Sequence, residues 1–113
     1  MADYLPGIDL KNEMIKCHSV DRLTDEGVRM LTLMVDHIQR PFPYVLDQDR
    51  EDCRSNAIEQ FLKNWRMVSP TRAPSSMFSY FTQMHKNAIY AGWNKLIKYR
   101  ADFSTSYIFQ DDI

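Results

Sequence analysis

The 113-residue chain is poor in the residues that punctuate sheets and tight turns, with three glycines, five prolines and few runs of β-branched residues. That shortage argues for helices over strands. No stretch reaches the roughly 20 apolar residues of a membrane span, so no membrane partner is expected. The opening Met1–Glu13 lacks the basic-then-apolar order of a secretion signal, and the expected location is the cytoplasm. Cys17 and Cys53 are the only cysteines. With no C-x-x-C or H-x-x-x-H spacing they read as buried thiols, and no metal or cofactor is expected. A glycine-rich phosphate loop is missing, and His18, His37 and His85 have no spaced Ser, Cys or Asp partner of a known catalytic motif. An enzyme is therefore not expected.

The last absence is the most informative, because residues 60–101 contain no acid and seven bases: Lys63, Arg66, Arg72, Lys86, Lys95, Lys98 and Arg100. Residues 1–59 carry twelve acids against seven bases, and Asp102, Asp111 and Asp112 follow at the end. The net charge of -1 conceals this segregation. It fits two kinds of partner, a polyanion for the basic part and a protein for the acidic part. Attraction between the two halves within the fold accounts for it equally well.

What is present is helical periodicity. The apolar fraction of 44% and charged fraction of 26% are those of one globular domain. Residues 1–7, ending in Pro6-Gly7, read as a loose start. Asp9 is placed to cap a first helix reaching about His18, with Leu10, Met14 and Cys17 on one side. Thr24 caps a second, whose stripe of Val28, Leu31, Val35 and Ile38 ends before Pro41 and Pro43. Phe42, Tyr44, Val45 and Leu46 form a plug in the connection. A third helix from Asp47–Asp49 to Val68 repeats Cys53, Ala57, Ile58, Phe61, Leu62, Trp65 and Val68. Ser69–Ser76 is a loop with Arg72 at its tip. The fourth helix, Met77–Arg100, puts Phe78, Phe81, Met84, Ala88, Ile89, Gly92, Leu96 and Tyr99 near one side and leaves Tyr80, Gln83, Lys86, Asn87, Tyr90, Lys98 and Arg100 largely outside. The predicted fold is all-α, about four helices over residues 1–100. Residues 101–113 form an apolar and acidic docking tail, with Tyr107, Ile108 and Phe109 ahead of the acids; a terminus folded back on the domain is the alternative.

The block Tyr80–Ile89, YFTQMHKNAI, resembles the DNA-melting part of the second conserved region of bacterial sigma factors, where Tyr-x-Thr is followed by a basic residue, an amide, Ala and Ile. It is most similar to the small late-gene sigma factors of T-even-type bacteriophages. Upstream, Asn56-Ala57-Ile58-Glu59 with Lys63 resembles the family's polymerase-binding helix. Gln83 and Met84 stand where housekeeping members carry two tryptophans, and no helix-turn-helix pattern follows Arg100.

The resemblance implies docking on the clamp of the largest subunit of bacterial core RNA polymerase through Ser55, Asn56, Ile58, Glu59 and Leu62. It implies contact with AT-rich promoter DNA, opened upstream of the start site, through Arg72, Tyr80, Gln83, Met84, Lys86, Asn87, Tyr90, Lys95, Lys98 and Arg100. Tyr80 would stack on an unpaired base, a contact of about 1 to 3 kcal/mol. The amides would meet base edges and the cations phosphates. In the phage family a C-terminal tail binds the replication sliding clamp, so Tyr107, Ile108 and Phe109 are expected to bind such a clamp or another coactivator. Two readings compete: a polymerase-binding adaptor or inhibitor that never touches promoter DNA, and a free-standing helical DNA binder.

Overall fold

The computed structural model describes the backbone of residues 4–44 and 46–111 and the side chains as far as residue 100; Val45 lies outside the described residues. These residues form α1 (Gly7–Val20), α2 (Asp25–Gln39), α3 (Asp47–Asn64), a 3-10 turn (Trp65–Met67) and α4 (Pro74–Asp111), with no strand among them. The all-α expectation holds. No described helix is long and apolar enough to cross a membrane.

The ends of the helices follow local chemistry. Thr24 is extended and its hydroxyl accepts from the Gly27 N–H at 3.0 Å, the expected cap of α2. α1 starts earlier than predicted. The Pro6 carbonyl accepts from the N–H groups of Asp9 and Leu10, so Asp9 sits inside the first turn, where the dipole favours it. α1 ends on Asp21 in the left-handed region at φ 54, a conformation a short acid tolerates. Arg66 brackets that residue, donating to its carboxylate at 3.0 Å and its carbonyl at 2.8 Å.

The third helix does not run to Val68 in one form. It tightens into the 3-10 turn, whose three residues per turn bring Trp65 and Val68 to one side, where both are buried. α4 begins at Pro74 instead of Met77, with proline at the first helical position, where its missing donor costs nothing. It also runs past Arg100 to Asp111 without a break.

α4 is the central element and touches each of the other three helices. Leu10 and Met14 of α1, Leu31 and Met34 of α2, and Phe61 of α3 close around its inner side, all fully buried. The start of the described chain is less loose than predicted: Leu5 is buried and the Tyr4 ring stacks on His37 at 3.8 Å. Cys17 and Cys53 are free and buried, as expected. Tyr99, predicted for the inner stripe, is 69% exposed. Leu96, three residues earlier, still packs against the core and Arg100 reaches Asp49 of α3, so the apolar stripe ends at Leu96 while α4 keeps a polar contact with α3. A helix of 38 residues is about 57 Å long, and it sets the 62 Å long dimension of the molecule.

Candidate nucleic-acid interface

The loop before α4 is strapped to the rest of the fold. Lys11 donates to the Arg72 carbonyl at 2.7 Å, and the His18 ring lies 2.9 Å from the Val68 carbonyl. Farther along, Gly92 lets α3 approach closely: a Cβ there would stand 3.3 Å from the Cys53 Cα and 3.4 Å from the Asn56 Cβ. Asn56 uses this proximity to donate to the Ala88 carbonyl at 2.7 Å. These ties fix which side of α4 faces out.

The inner side is apolar with one exception. His85 is fully buried between Phe61 and Phe81, with ring centroids at 5.7 and 6.3 Å, and neither ring nitrogen has a partner. Burial pushes its pKa down from 6.5 to about 4, so the ring is neutral at pH 7.

The outer side carries most of the predicted contact residues, though not as one stripe. Tyr80 is half-buried, and the Arg72 guanidinium lies over its ring at 4.5 Å, held by a 3.0 Å hydrogen bond to the Ser76 hydroxyl. The predicted stacking face is thus covered by a predicted phosphate contact. Gln83 and Asn87 are exposed and bond to each other at 2.8 Å. From this ridge the remaining residues diverge. Lys86 and Tyr90 border a groove with His37, Ile38, Arg40, Pro41 and Phe42 on the α2 side. Met84, Asn87 and Lys95 border another with Asn56, Gln60 and Asn64 on the α3 side.

Pairing divides the basic residues. Lys63 meets Glu59 at 2.8 Å, Arg66 meets Asp21 at 3.0 Å, and Arg100 pairs with Asp49. Attraction between the halves thus accounts for part of the charge segregation. Lys86, Lys95 and Lys98 are exposed and form no ion pair among the described residues. Lys86 and Lys98 leave positive charge for a polyanion, while the Lys95 charge lies close enough to Glu59 to help hold its carboxyl down. Arg100, predicted to touch phosphate, instead has an internal partner, and the Asp49 carboxylate holds its pKa above the ordinary value.

The predicted docking residues also divide. Ser55, Glu59 and Leu62 are exposed at i, i+4 and i+7 and form one ridge on α3; Leu62, expected on the apolar stripe, is instead 48% exposed. Lys63 beside it holds the Glu59 carboxyl below the usual carboxylate range. Asn56 is tied to α4, and Ile58 packs against the core.

Sequence reasoning missed the polar group under the α2–α3 connection. Gln39 is 1% exposed and donates to the Tyr44 hydroxyl at 3.0 Å and the Arg50 carbonyl at 3.3 Å. Arg50 returns bonds to the carbonyls of Gln39 at 2.8 Å and Phe42 at 3.0 Å. Burial pushes the Tyr44 hydroxyl up to about 12. Asp49 had a legible signal. Spaced by four with Cys53, Ala57 and Phe61, it lies on a stripe whose members are all buried, and an acid there calls for an internal cation.

Comparison with protein-family models, with curated proteins and with solved structures finds no match for this chain.

Proposed function

We propose that the chain is a small phage-type sigma factor that docks on bacterial core RNA polymerase and directs it to AT-rich promoters. The observation that carries the reading is the pairing of two surfaces. An exposed ridge on α3 ends in Leu62, and α4 presents Gln83, Lys86, Asn87, Tyr90, Lys95 and Lys98 to solvent. The ridge suits a protein partner with basic and apolar groups, in the manner of the polymerase clamp. The unpaired lysines suit phosphates, and the amides suit base edges. The sequence resemblance at Asn56–Glu59 and Tyr80–Ile89 falls on these same two helices. The segment with Tyr107, Ile108 and Phe109, whose side chains lie outside the described residues, is assigned to a sliding clamp or coactivator by resemblance alone.

In this reading Tyr80 works only after Arg72 leaves its ring. A phosphate drawing the guanidinium away would free the face for a base, exchanging a cation contact for stacking. The same cover favours the second reading, an adaptor or inhibitor that docks on polymerase without touching promoter DNA.

Gel filtration of the chain with bacterial core polymerase tests the docking ridge. Co-elution is expected for the natural chain and its loss for the Glu59→Lys, Leu62→Ala double variant, both positions being exposed. Co-elution that survives both changes would remove the ridge from the account.

A further inference from the structure

Between the α2–α3 connection and α4 lies a cleft of about 230 Å³ lined by Phe42, Pro43, Tyr44, Tyr90 and Trp93. Its walls brace one another. Phe42 stacks on Tyr90 at 5.8 Å with 19° between planes, and Trp93 meets Tyr44 edge-on at 5.8 Å. Arg50 fixes the connection from beneath, donating to the Phe42 carbonyl and lying over the Tyr44 ring at 4.8 Å. The cleft is therefore preformed and suits an apolar side chain. The α2-side groove adjoins it through the shared Phe42 and Tyr90 and adds Arg40 and Lys86. Both cations are exposed, and neither has an ion-pair partner among the described residues. An occupant matching this surface presents aromatic or aliphatic anchors next to acids.

The chain carries such a stretch in Tyr107-Ile108-Phe109-Gln110-Asp111-Asp112. It cannot fill its own cleft while α4 stays whole. The helix is unbroken to Asp111, so the backbone advances about 24 Å along one axis between Trp93 and Phe109. A second copy has no such constraint. Two α4 helices side by side and antiparallel, centred near residue 101, bring each stretch to the other's cleft at once, which closes the assembly by two-fold symmetry.

We propose that residues 107–112 dock in the aromatic cleft of a second copy of this chain, with Asp111 and Asp112 against Arg40 and Lys86. The dimer covers Lys86 and Tyr90, so it is a form in which part of the candidate nucleic-acid surface is closed. The inference does not depend on polymerase binding.

Sedimentation velocity of the full chain, from low micromolar to near-millimolar concentration, tests it without polymerase or DNA. The mass is expected to rise from 13.4 kDa toward twice that value. The Asp111→Lys, Asp112→Lys variant and the Arg40→Glu, Lys86→Glu variant are each expected to stay monomeric. Mixing the two in equal amounts is expected to restore association, because the reversed charges again face opposite partners. A natural chain that is monomeric throughout would overturn the proposal, as would association indifferent to both reversals or reversed variants that fail to rescue each other. A monomer whose Trp93 fluorescence is quenched by a single-stranded oligonucleotide would assign the cleft to nucleic acid and equally overturn it.

Discussion

On the inner side of α4, Met77, Phe81, Ala88 and Ile89 are at most 5% exposed, while on its outer side Lys86, Asn87 and Tyr90 stand in solvent. One helix thus has a buried side and an exposed side half a turn apart. The inner side gathers α1, α2 and α3 around itself and supplies stability. The outer side makes few internal contacts, so its residue types are free to answer to a partner. Net charge along the sequence does not show this division. Arg66 and Arg100 join separate elements through their acids and Lys63 pairs along α3, whereas Lys86, Lys95 and Lys98 form no ion pair among the described residues.

The largest effect is expected on the inner side. Phe81→Ala removes a fully buried ring and is expected to lower stability by about 3 to 5 kcal/mol, read by chemical denaturation. A loss no larger than that of an outer-side alanine would show that the inner side is not the packing side.

His85 sharpens the same contrast through pH. Its folded pKa of about 4 lies below the ordinary 6.5, so between those values the unfolded chain binds a proton that the folded chain refuses. The His85 contribution is therefore pH-independent above 6.5, and stability falls as pH drops toward 4, by about 3 kcal/mol across the window. In the volume-matched His85→Leu variant this slope is expected to vanish. Stability at pH 7 should also rise, because two unpartnered ring nitrogens leave the core. An unchanged slope would mean that another group titrates there.

Arg100 is a basic residue placed outside by sequence and inside by its partner. Arg100→Ala leaves the buried Asp49 carboxylate without its cation and is expected to lower the Tm more than Lys98→Ala does. Equal shifts would return Arg100 to the outer set. The smallest stability effects are expected for Lys86→Ala and Lys98→Ala, within about 0.5 kcal/mol of the natural chain. Each should nevertheless flatten the salt dependence of DNA binding by the polymerase complex, which fluorescence anisotropy across a salt series would record.

The helices were legible where a cap or a period was strong, as with Thr24 at α2 and the fourfold repeat of α3. Boundaries moved where tertiary packing outweighed local preference. Trp65 and Val68 reach the core together only through a 3-10 turn, and α4 starts three residues early, at Pro74. Of the candidate site, the exposure of Ser55 and Glu59 and the outward Gln83, Lys86 and Asn87 follow from helical phase, whereas Leu62 shares the phase of the apolar stripe and is nevertheless exposed. The cover of Arg72 over Tyr80, the bond from Asn56 to Ala88 and the Arg100–Asp49 pair join residues 8, 32 and 51 positions apart. Helical phase alone does not report such partnerships, since each depends on how loops and neighbouring helices come to rest.

If, as proposed, α4 meets promoter DNA while α3 holds polymerase, the decisive measurement is promoter-dependent transcription by core polymerase from an AT-rich template. The account predicts transcripts that require this chain and are sharply reduced by Tyr80→Ala and by Lys86→Ala, with polymerase co-elution intact in both. Transcription that either does not depend on the chain or is unaffected by both substitutions would contradict it.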